Sequence, residues 1–349
     1  MKKTILALAV LGACAGGASA QSNVTIYGLV DLGVVRESGG PAGSMTKLTS
    51  GIANGSRLGF KGIENLGGDL SAFFQLENGF QADTGTLGQG GLLFGRQAFV
   101  GLSNGFGTIK LGRQYTPIDD LVGAVDPFGN GYAGRLQNVF MKGYLSRVDN
   151  DVMYSTPTIN GFSANVAYGF GEVAGSASAN RYVAGSAGYT SGPLFVRIAH
   201  QNRNNLIPSV VGASANTAFG NATNDKNTML GATYNFGVVK AHAAYAITKT
   251  GNVGTRLVDA TDAMVGVSVP FGANTVMASY IRRNDKSANN RDADQIAIGY
   301  NYVMSKRTTL YAAYAYINNK NGPVFYTAGS AIEGGSGNKA LDLGIRHTF

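Results

Sequence analysis

Apolar residues recur at every second position through most of this chain. Residues 295–302 read QIAIGYNY, in which Ile and Tyr alternate with polar or small residues, and residues 70–77, 162–170 and 238–247 show the same pattern. A period of two residues indicates β-strands that have one apolar face and one polar or small face. The pattern therefore predicts an all-β protein.

The connections between these segments fall into two classes that alternate along the chain. Seven are tight turns, most of them with Gly or Asn, which supply the positive φ of hairpin turns: 65–68, 104–107, 159–161, 191–193, 235–237, 271–273 and 305–307. Eight are longer and more polar: about 37–53, 83–91, 116–147, 172–180, 204–225, 250–258, 285–291 and 320–337. Strict alternation places the tight turns at one rim and the long connections at the other, and it predicts sixteen antiparallel strands.

The apolar faces of these strands are continuous from strand to strand, whereas the other faces are too small and polar to form a core. A closed sheet that is apolar outside and polar inside is stable in a membrane, because closure satisfies every backbone hydrogen bond. Alternating segments, an even strand number and short turns at one rim are typical of outer-membrane barrels, and about sixteen strands enclose water. We therefore predict a 16-stranded antiparallel transmembrane β-barrel.

Residues 116–147 show no sustained alternation. A connection of this length without regular structure inside a compact domain is normally functional. We predict that it folds into the barrel as a constriction loop, and that residues 21–349 form one barrel domain.

The first twenty residues, MKKTILALAVLGACAGGASA, contain two lysines, an apolar stretch and the small-residue site Ala18-Ser19-Ala20. This arrangement is typical of a cleaved secretory signal peptide, so the mature chain is expected to begin at Gln21 and to be exported. A lipobox ending at Cys14 is the alternative. No later run approaches the ~18 apolar residues that a membrane-spanning helix needs.

The charge of the chain is basic but dispersed. With the two signal lysines removed, 26 basic residues face 20 acidic ones, a net charge of +6. Because the basic residues form no run, we expect no nucleic-acid partner. His200, His242 and His347 lack ligand spacing, so we expect no metal or other cofactor. No nucleophile and base are grouped in a catalytic motif, which argues against an enzyme.

Six segments together carry a family resemblance: VTIYGLVDLGV near the N-terminus, then SRLGFKGIENLGGDLSAFFQLE, FGTIKLGRQ, YNFGV, SKRTTLYAAYAY and LGIRHTF. The last of these belongs to the C-terminal strand NKALDLGIRHTF, which ends on Phe349. They resemble the general porins of Gram-negative bacteria, of the betaproteobacterial and neisserial type, and the resemblance covers residues 21–349. It implies a homotrimeric, water-filled barrel in the outer membrane, in contact with lipid and lipopolysaccharide, with the third long loop folded inward. Asp126-Pro127-Phe128-Gly129 resembles the turn at the tip of that loop.

The resemblance assigns Arg57, Arg96 and Arg147 to a basic wall beside the constriction. Alternation independently places Arg57 on the lumen side of its strand, and it places Arg147 on the same face as Asp149 and Asp151. A wall of low dielectric focuses the field of such charges on solutes in a narrow passage.

Alternation disagrees with the resemblance at Arg96, which has the parity of Ala98 and Val100. An arginine facing lipid at the membrane midplane costs about 2–4 kcal/mol. We therefore expect a local irregularity near Gly95 that turns Arg96 into the lumen.

Four carboxylates are candidates for the opposite, acidic side of the constriction: Asp119, Asp120 and Asp126 on the inward loop, and Glu77 on the lumen parity of its strand. An alternative role for Asp119 and Asp120 is to cap a short helix at 121–125. Arg135 and Lys142 add positive charge to the same loop. The balance of charges predicts a weak to moderate preference for anions.

The pattern favours a general diffusion porin for ions and small hydrophilic solutes. A substrate-specific channel for small anionic solutes on the same barrel is the alternative. An outer-membrane barrel enzyme and a secreted all-β adhesin are opposed by the missing catalytic group and by the apolar outer faces.

Overall fold

The structure is a computed structural model that describes residues 23–204, 224–252, 255–322, 324–327 and 335–349, with the backbone alone for Asn23, 252 and 255–257. The predicted signal peptide lies outside the described residues, as do most of the connection 204–225 and part of 320–337. The strands are β1 (Asn23–Gly40), β2 (Gly43–Ser50), β3 (Arg57–Gly67), β4 (Leu70–Gly79), β5 (Gln97–Asn104), β6 (Gly107–Tyr115), β7 (Arg147–Ser155), β8 (Phe162–Gly169), β9 (Tyr182–Ser191), β10 (Leu194–Arg203), β11 (Asp225–Asn235), β12 (Lys240–Asn252), β13 (Thr255–Phe271), β14 (Asn274–Asp285), β15 (Ala293–Val303), β16 (Thr308–Asn319) and β17 (Lys339–Thr348).

The sheet is antiparallel and closed on itself. Each strand from β3 to β17 pairs with its neighbour in sequence, and β17 pairs with β1 from Leu29 opposite Thr348 to Ser38 opposite Lys339. The last residue takes part in the closure, because Gly28 and Phe349 exchange backbone hydrogen bonds of 3.1 and 3.0 Å. Closure leaves no free edge to aggregate.

Two of the strand segments share one position in the barrel. The outer half of β1 pairs with β2, and its other half pairs with β3. β2 and β3 are therefore one barrel strand interrupted at Gly51–Ser56, and the seventeen segments form the sixteen-stranded barrel that the alternation predicts. We call the interruption at Gly51–Ser56 the wall break.

The two faces of the sheet have the expected polarity. On β15, Ile296 and Ile298 are 60% and 56% exposed, whereas Gln295 and Ala297, on the other face, are buried. The exposed apolar face is the outside of the barrel. The opposite face carries buried polar residues from many strands and is the lumen face: Asp31, Glu77, Asp262, Gln295 and Asp342.

All seven predicted tight turns join consecutive strands, but two of the predicted long connections are corrected. Within 37–53, β1 and β2 continue as a hairpin with Pro41 and Ala42 at its turn, and within 250–258, β12 and β13 extend with a register shift at Gly251. Both regions lack an apolar residue at every second position because their buried face is polar, as at Glu37, Thr49 and Thr250, which are at most 6% exposed.

The connection between β6 and β7, residues 116–146, contains α1 (Pro117–Val125) and a 3₁₀ turn at Leu136–Asn138. A second 3₁₀ turn, Gln89–Gly91, follows β4. In the described part of the chain no helix has the length and hydropathy needed to cross a membrane.

Candidate functional site

The connection 116–146, which we call the inward loop, packs on the lumen face. Its helix α1 turns Ile118, Leu121 and Val125 toward β10, β11 and β12, where they form an apolar cluster with Met229. Gly231 lies directly beneath, and a Cβ added there would come within 2.8 Å of Val125. The small residue is needed for α1 to lie this close to the wall.

Side chains of β12 and β15 add polar contacts that fasten the loop. His242 on β12 bonds the carbonyl oxygen of Val125 through Nδ1 at 2.9 Å; because a carbonyl only accepts, the proton lies on Nδ1. On β15, Gln295 donates to Gly134 at 2.9 Å and accepts from Asn138 at 3.0 Å. The loop is thus hydrogen-bonded to β12 and to β15, three positions further along the sheet.

The later part of the inward loop is hydrogen-bonded to a buried ion pair. Asp262 on β13 accepts from Arg283 on β14 at 3.0 Å, and it also accepts the backbone N–H of Met141 at 2.9 Å. The same guanidinium donates to the Val139 carbonyl at 3.4 Å, and its carbon lies 5.4 Å from the Phe325 ring centre. Both charged side chains are at most 3% exposed, so the loop shields the pair from water.

The tip of the loop is held by Asp126. Its carboxylate accepts backbone N–H groups of Phe128, Asn130 and Leu136 at 2.9–3.0 Å. Burial raises the pKa of Asp126 to about 6, and these three donors oppose the shift. The sequence predicts Asp126 on the acidic side of the constriction. In the structure its carboxylate instead accepts hydrogen bonds within the turn of the loop itself.

The wall break meets this tip. Asp31 on β1 accepts the N–H groups of Ile52 and Asn54 at 2.9 and 3.1 Å and the hydroxyl of Tyr311 at 2.7 Å. These bonds bend Gly51–Ser56 into the lumen, where the Ile52 carbonyl accepts the N–H of Tyr132 at 2.6 Å. An interrupted strand of the wall therefore supports the loop.

The three predicted arginines come together. Arg96 donates to Glu77 at 2.7 Å, and an Nη of Arg57 lies 3.9 Å from the same oxygen. Arg96 and Arg147 both donate to the hydroxyl of Tyr115, at 2.5 and 2.6 Å. We call these five residues the basic cluster. Glu77 and Arg96 are buried, whereas Arg57 and Arg147 remain partly exposed to the lumen.

Glu77 was expected to face the arginines across the passage. Instead it lies among them, where Tyr27 also donates to it at 2.9 Å. One carboxylate against three guanidiniums leaves the basic cluster with a net charge of +2. Arg96 behaves as the resemblance implied: it occupies a bend before β5 begins at Gln97, which turns it inward against the parity of the strand.

Alternation along β6 does not assign Tyr115 to the lumen, because Tyr115 is the last residue of the strand and has the parity of its outer face. The pairing of β6 with β7 shifts register between Gly112 and Gln114, where Asp149 and Asn150 together oppose Arg113. Asn150 adopts a φ of 54°, as the extra residue of a bulge requires. Counting every second residue from Ile109, which is on the outer face, would direct Tyr115 outward. No sequence signal that we used identifies this bulge.

The same bulge corrects the face assigned to Arg147. Asp151 is buried, whereas the Asp149 side chain is 47% exposed and pairs with Arg113 at 2.5 Å. Arg147 therefore reaches the lumen at the end of β7 rather than by simple alternation from Asp151. Its guanidinium carbon lies 4.2 Å from the centre of the Tyr115 ring, a cation–π contact.

Two loop carboxylates face the wall. Asp119 accepts the hydroxyl of Tyr144 at 2.8 Å. Burial raises its pKa, while the charges of Arg147 and Arg96 oppose the shift. Asp120 is exposed to the lumen, and desolvation by the surrounding wall, followed by the charge of Asp119, raises its pKa to about 6.

The capping role considered for Asp119 and Asp120 is wrong. α1 begins at Pro117, and the N-cap is Thr116, whose hydroxyl accepts the N–H of Asp119 at 3.2 Å. Both carboxylates lie in the first turn of the helix, where they oppose the positive end of its dipole. Asp120 is exposed, whereas Asp119 is held by the hydroxyl of Tyr144.

Two cations lie on the far part of the inward loop. Burial lowers the pKa of Arg135 to about 10 and that of Lys142 to about 8. Lys142 therefore carries its charge at neutral pH and loses it in mildly alkaline solution. Both side chains are partly exposed, on the same side of the loop as Tyr144.

Comparison with known proteins places this architecture in a family. The model of the Gram-negative porin family matches residues 7–322. An outer membrane porin protein of Bordetella pertussis is 33% identical over 403 residues, with both chains covered completely. The solved anion-selective porin from Comamonas acidovorans is 30% identical with a TM-score of 0.81, covering 94% of this chain and 100% of that one.

A more distant structure, the trimer form of OmpT of Vibrio cholerae, has a TM-score of 0.67 at 17% identity and shows the shared fold alone; it covers 94% of this chain and 99% of that one. The closed barrel, the inner polar face and the family match agree with one another. The chain belongs to the Gram-negative porins, which are channels of the outer membrane rather than enzymes.

Proposed function

We propose that this porin is a general diffusion channel with a modest preference for anions, and that its narrowest part lies between the basic cluster and the first turn of α1. Small hydrophilic solutes and ions cross it passively. Selectivity arises from the field in this passage rather than from a binding site.

The observation that carries the proposal is the unequal pairing of charge. The basic cluster holds three guanidiniums and one carboxylate, joined by hydrogen bonds and, at Arg57, by an ion pair of 3.9 Å; Arg57 and Arg147 stay accessible to water. Asp119 on α1 lies near Arg147 and Arg96, and Asp120 lies near Lys110 and Arg197, so the loop does not neutralise all of the charge of the cluster. An anion near the cluster is therefore favoured, and a cation is held near the loop.

The relatives support the sign of this preference. The Comamonas acidovorans protein, similar over nearly its whole length, is named for anion selectivity. The Vibrio cholerae structure is named as a trimer form, and we extend that assembly to this chain as part of the proposal.

The test is ion selectivity in planar bilayers, with Arg57→Gln as the variant. One unit charge about 8 Å from a monovalent ion in water changes its energy by about 0.5 kcal/mol. Anions and cations change in opposite directions, and salt screens part of the effect. The anion-to-cation permeability ratio should therefore fall about two- to fivefold in a salt gradient.

Arg307→Gln, in the tight turn 305–307 at the opposite rim, is the matched control and should leave the ratio unchanged. Equal ratios for Arg57→Gln and the wild type would remove the basic cluster from the passage. Conductance that saturates with one small anion would favour the substrate-specific alternative. Stepwise ohmic openings without saturation would support general diffusion.

A further inference from the structure

Two phenylalanines on neighbouring strands face the lumen. Phe73 on β4 lies on the same face of its strand as Glu77. Phe99 on β5 precedes Val100, which is 55% exposed on the outer face, so Phe99 points inward. The two rings contact each other edge to face, with their centres 6.1 Å apart. Apolar side chains that meet water beside polar ones are typical of a surface that binds a ligand.

The ring of Phe73 lies along the wall instead of crossing the lumen. Gly101 on β5 is its pairing partner, and a Cβ added to Gly101 would come within 2.5 Å of the Phe73 ring. The glycine therefore lets the ring tilt onto the neighbouring strand, and the passage stays open. Phe73 remains partly exposed, whereas Phe99 is only 8% exposed. Phe73 thus supplies the apolar surface that a solute can touch.

A cation adjoins the two rings. Lys110 on β6 is paired with Gly101, and its ammonium nitrogen lies 5.1 Å from the centre of the Phe99 ring, a cation–π contact. Asp120 and Asp151 lie close enough for their charges to act on Lys110. Among the residues that the structure describes, however, Lys110 forms no ion pair. Its ammonium is therefore available to a solute carboxylate.

These three residues, Phe73, Phe99 and Lys110, which we call the ring patch, lie between the basic cluster and the rim of the tight turns. Phe73 is four residues from Glu77 along β4, in the direction of the tight turn 65–68. A rise of about 3.3 Å per residue places it roughly 13 Å from Glu77 along the strand. Short turns lie on the periplasmic side in barrels of this kind. An anion that leaves the basic cluster toward the periplasm therefore meets the ring patch next.

We propose that the ring patch favours the passage of aromatic carboxylates over that of other small anions. The carboxylate pairs with Lys110, while the ring of the solute packs against Phe73. This inference rests on the proposed anion preference and adds a second property to it. The basic cluster separates anions from cations, whereas the ring patch separates anions from one another.

Reversal potentials in planar bilayers test the proposal, with sodium benzoate on one side and sodium acetate at the same concentration on the other. Phe73→Ser removes the ring and should lower the benzoate-to-acetate permeability ratio about two- to tenfold, the range for one contact between aromatic rings. Lys110→Gln should lower the ratio as well, because the ring then has no adjoining cation. Phe73→Ser should leave the chloride-to-sodium ratio unchanged, since it alters no charge.

Arg197→Gln is the matched control. Arg197 also lies near Asp120, but its guanidinium donates to the hydroxyls of Ser163 and Ser186. Its loss should affect benzoate and acetate alike and leave their ratio unchanged. A wild-type ratio in Phe73→Ser, in a channel that still prefers chloride to sodium, would overturn the ring patch alone. A wild-type channel without a preference for chloride would instead overturn the proposed function, whatever its benzoate-to-acetate ratio.

Discussion

The ion pair between Asp262 and Arg283 should control how firmly the inward loop is docked. Asp262→Ala removes the partner of a guanidinium that is 3% exposed and leaves the N–H of Met141 without its acceptor. An uncompensated buried charge costs about 3–5 kcal/mol. Lifting the loop would admit water to Arg283 and relieve that cost, so the variant should favour the undocked loop.

Thiol labelling measures this equilibrium directly. The sole cysteine of the sequence, Cys14, lies in the predicted signal peptide, so a Val139→Cys reporter is the only thiol of the mature chain. Val139 is fully buried in the docked loop, and its labelling rate follows the population of the undocked state. Because each 1.4 kcal/mol is a factor of ten, Asp262→Ala should speed labelling by between about a hundredfold and several thousandfold.

Two further variants separate the unpaired charge from a general loss of stability. Asp262→Ala combined with Arg283→Met removes both charges and should recover most of the protection, since apolar replacement of a buried pair is often near neutral. Lys320→Gln breaks an exposed pair of 3.8 Å with Asp292 and should change labelling less than about fivefold. A rate in Asp262→Ala within threefold of the reporter alone would refute the reasoning.

Three other predictions concern the passage and its supports. The pKa of Asp120 is raised to about 6, and so is that of Asp126 on the same loop, so the loop loses negative charge as pH falls from 7.5 to 5. Anion preference, measured as reversal potential, should rise over that window, and Asp120→Asn should reduce the rise. The same raised pKa means that protonated Asp120 stabilises the folded state. This stabilisation is complete below about pH 4 and is lost as pH rises through 6. Tyr115→Phe removes an acceptor of two charge-assisted hydrogen bonds, each worth about 1.5–3 kcal/mol, so it should lower the thermal unfolding temperature. The permeability ratio should change less than twofold, because Tyr115 only positions the arginines. A large change in selectivity would contradict that role. Gly131→Ala would bring a Cβ within 2.0 Å of the Ala53 carbonyl oxygen and should make single-channel conductance heterogeneous, whereas Gly123→Ala, with open space at its Cβ, should behave as wild type.

The strands and tight turns could be predicted from the sequence because the membrane imposes a strict rule on them. Where one face meets lipid and the other meets water, every second residue must be apolar, as at Ile296 and Ile298. The rule lapses above the membrane, which is why the extension of β1 beyond residue 37 and the pairing of β2 were missed. The predicted number of strands is nevertheless correct, because β2 and β3 occupy one position in the barrel.

The sequence indicates which residues belong to the candidate site but not how they are arranged. The grouping of Arg57, Arg96 and Arg147 followed from resemblance, and alternation alone supported only part of it. A single extra residue at Asn150 reverses parity, and no property of that residue in the sequence distinguishes a bulge from a regular strand. That reversal affects β7 alone; alternation along β6 directs Tyr115 outward, and its contact with two of the arginines at the end of β6 cannot be read from the pattern.

The wall break has a consequence for exchanging parts between related barrels. The loop tip does not rest on a generic surface, because the backbone of Ile52 was bent inward by Asp31 to receive Tyr132. In a host barrel without that bend, a transplanted inward loop would meet an uninterrupted strand. Its tip would then lack the Ile52 carbonyl that accepts the N–H of Tyr132. Residues 51–56, which lie 70–75 positions before the tip at Asp126, must therefore be transferred with the loop if a chimaera is to keep the shape of its passage.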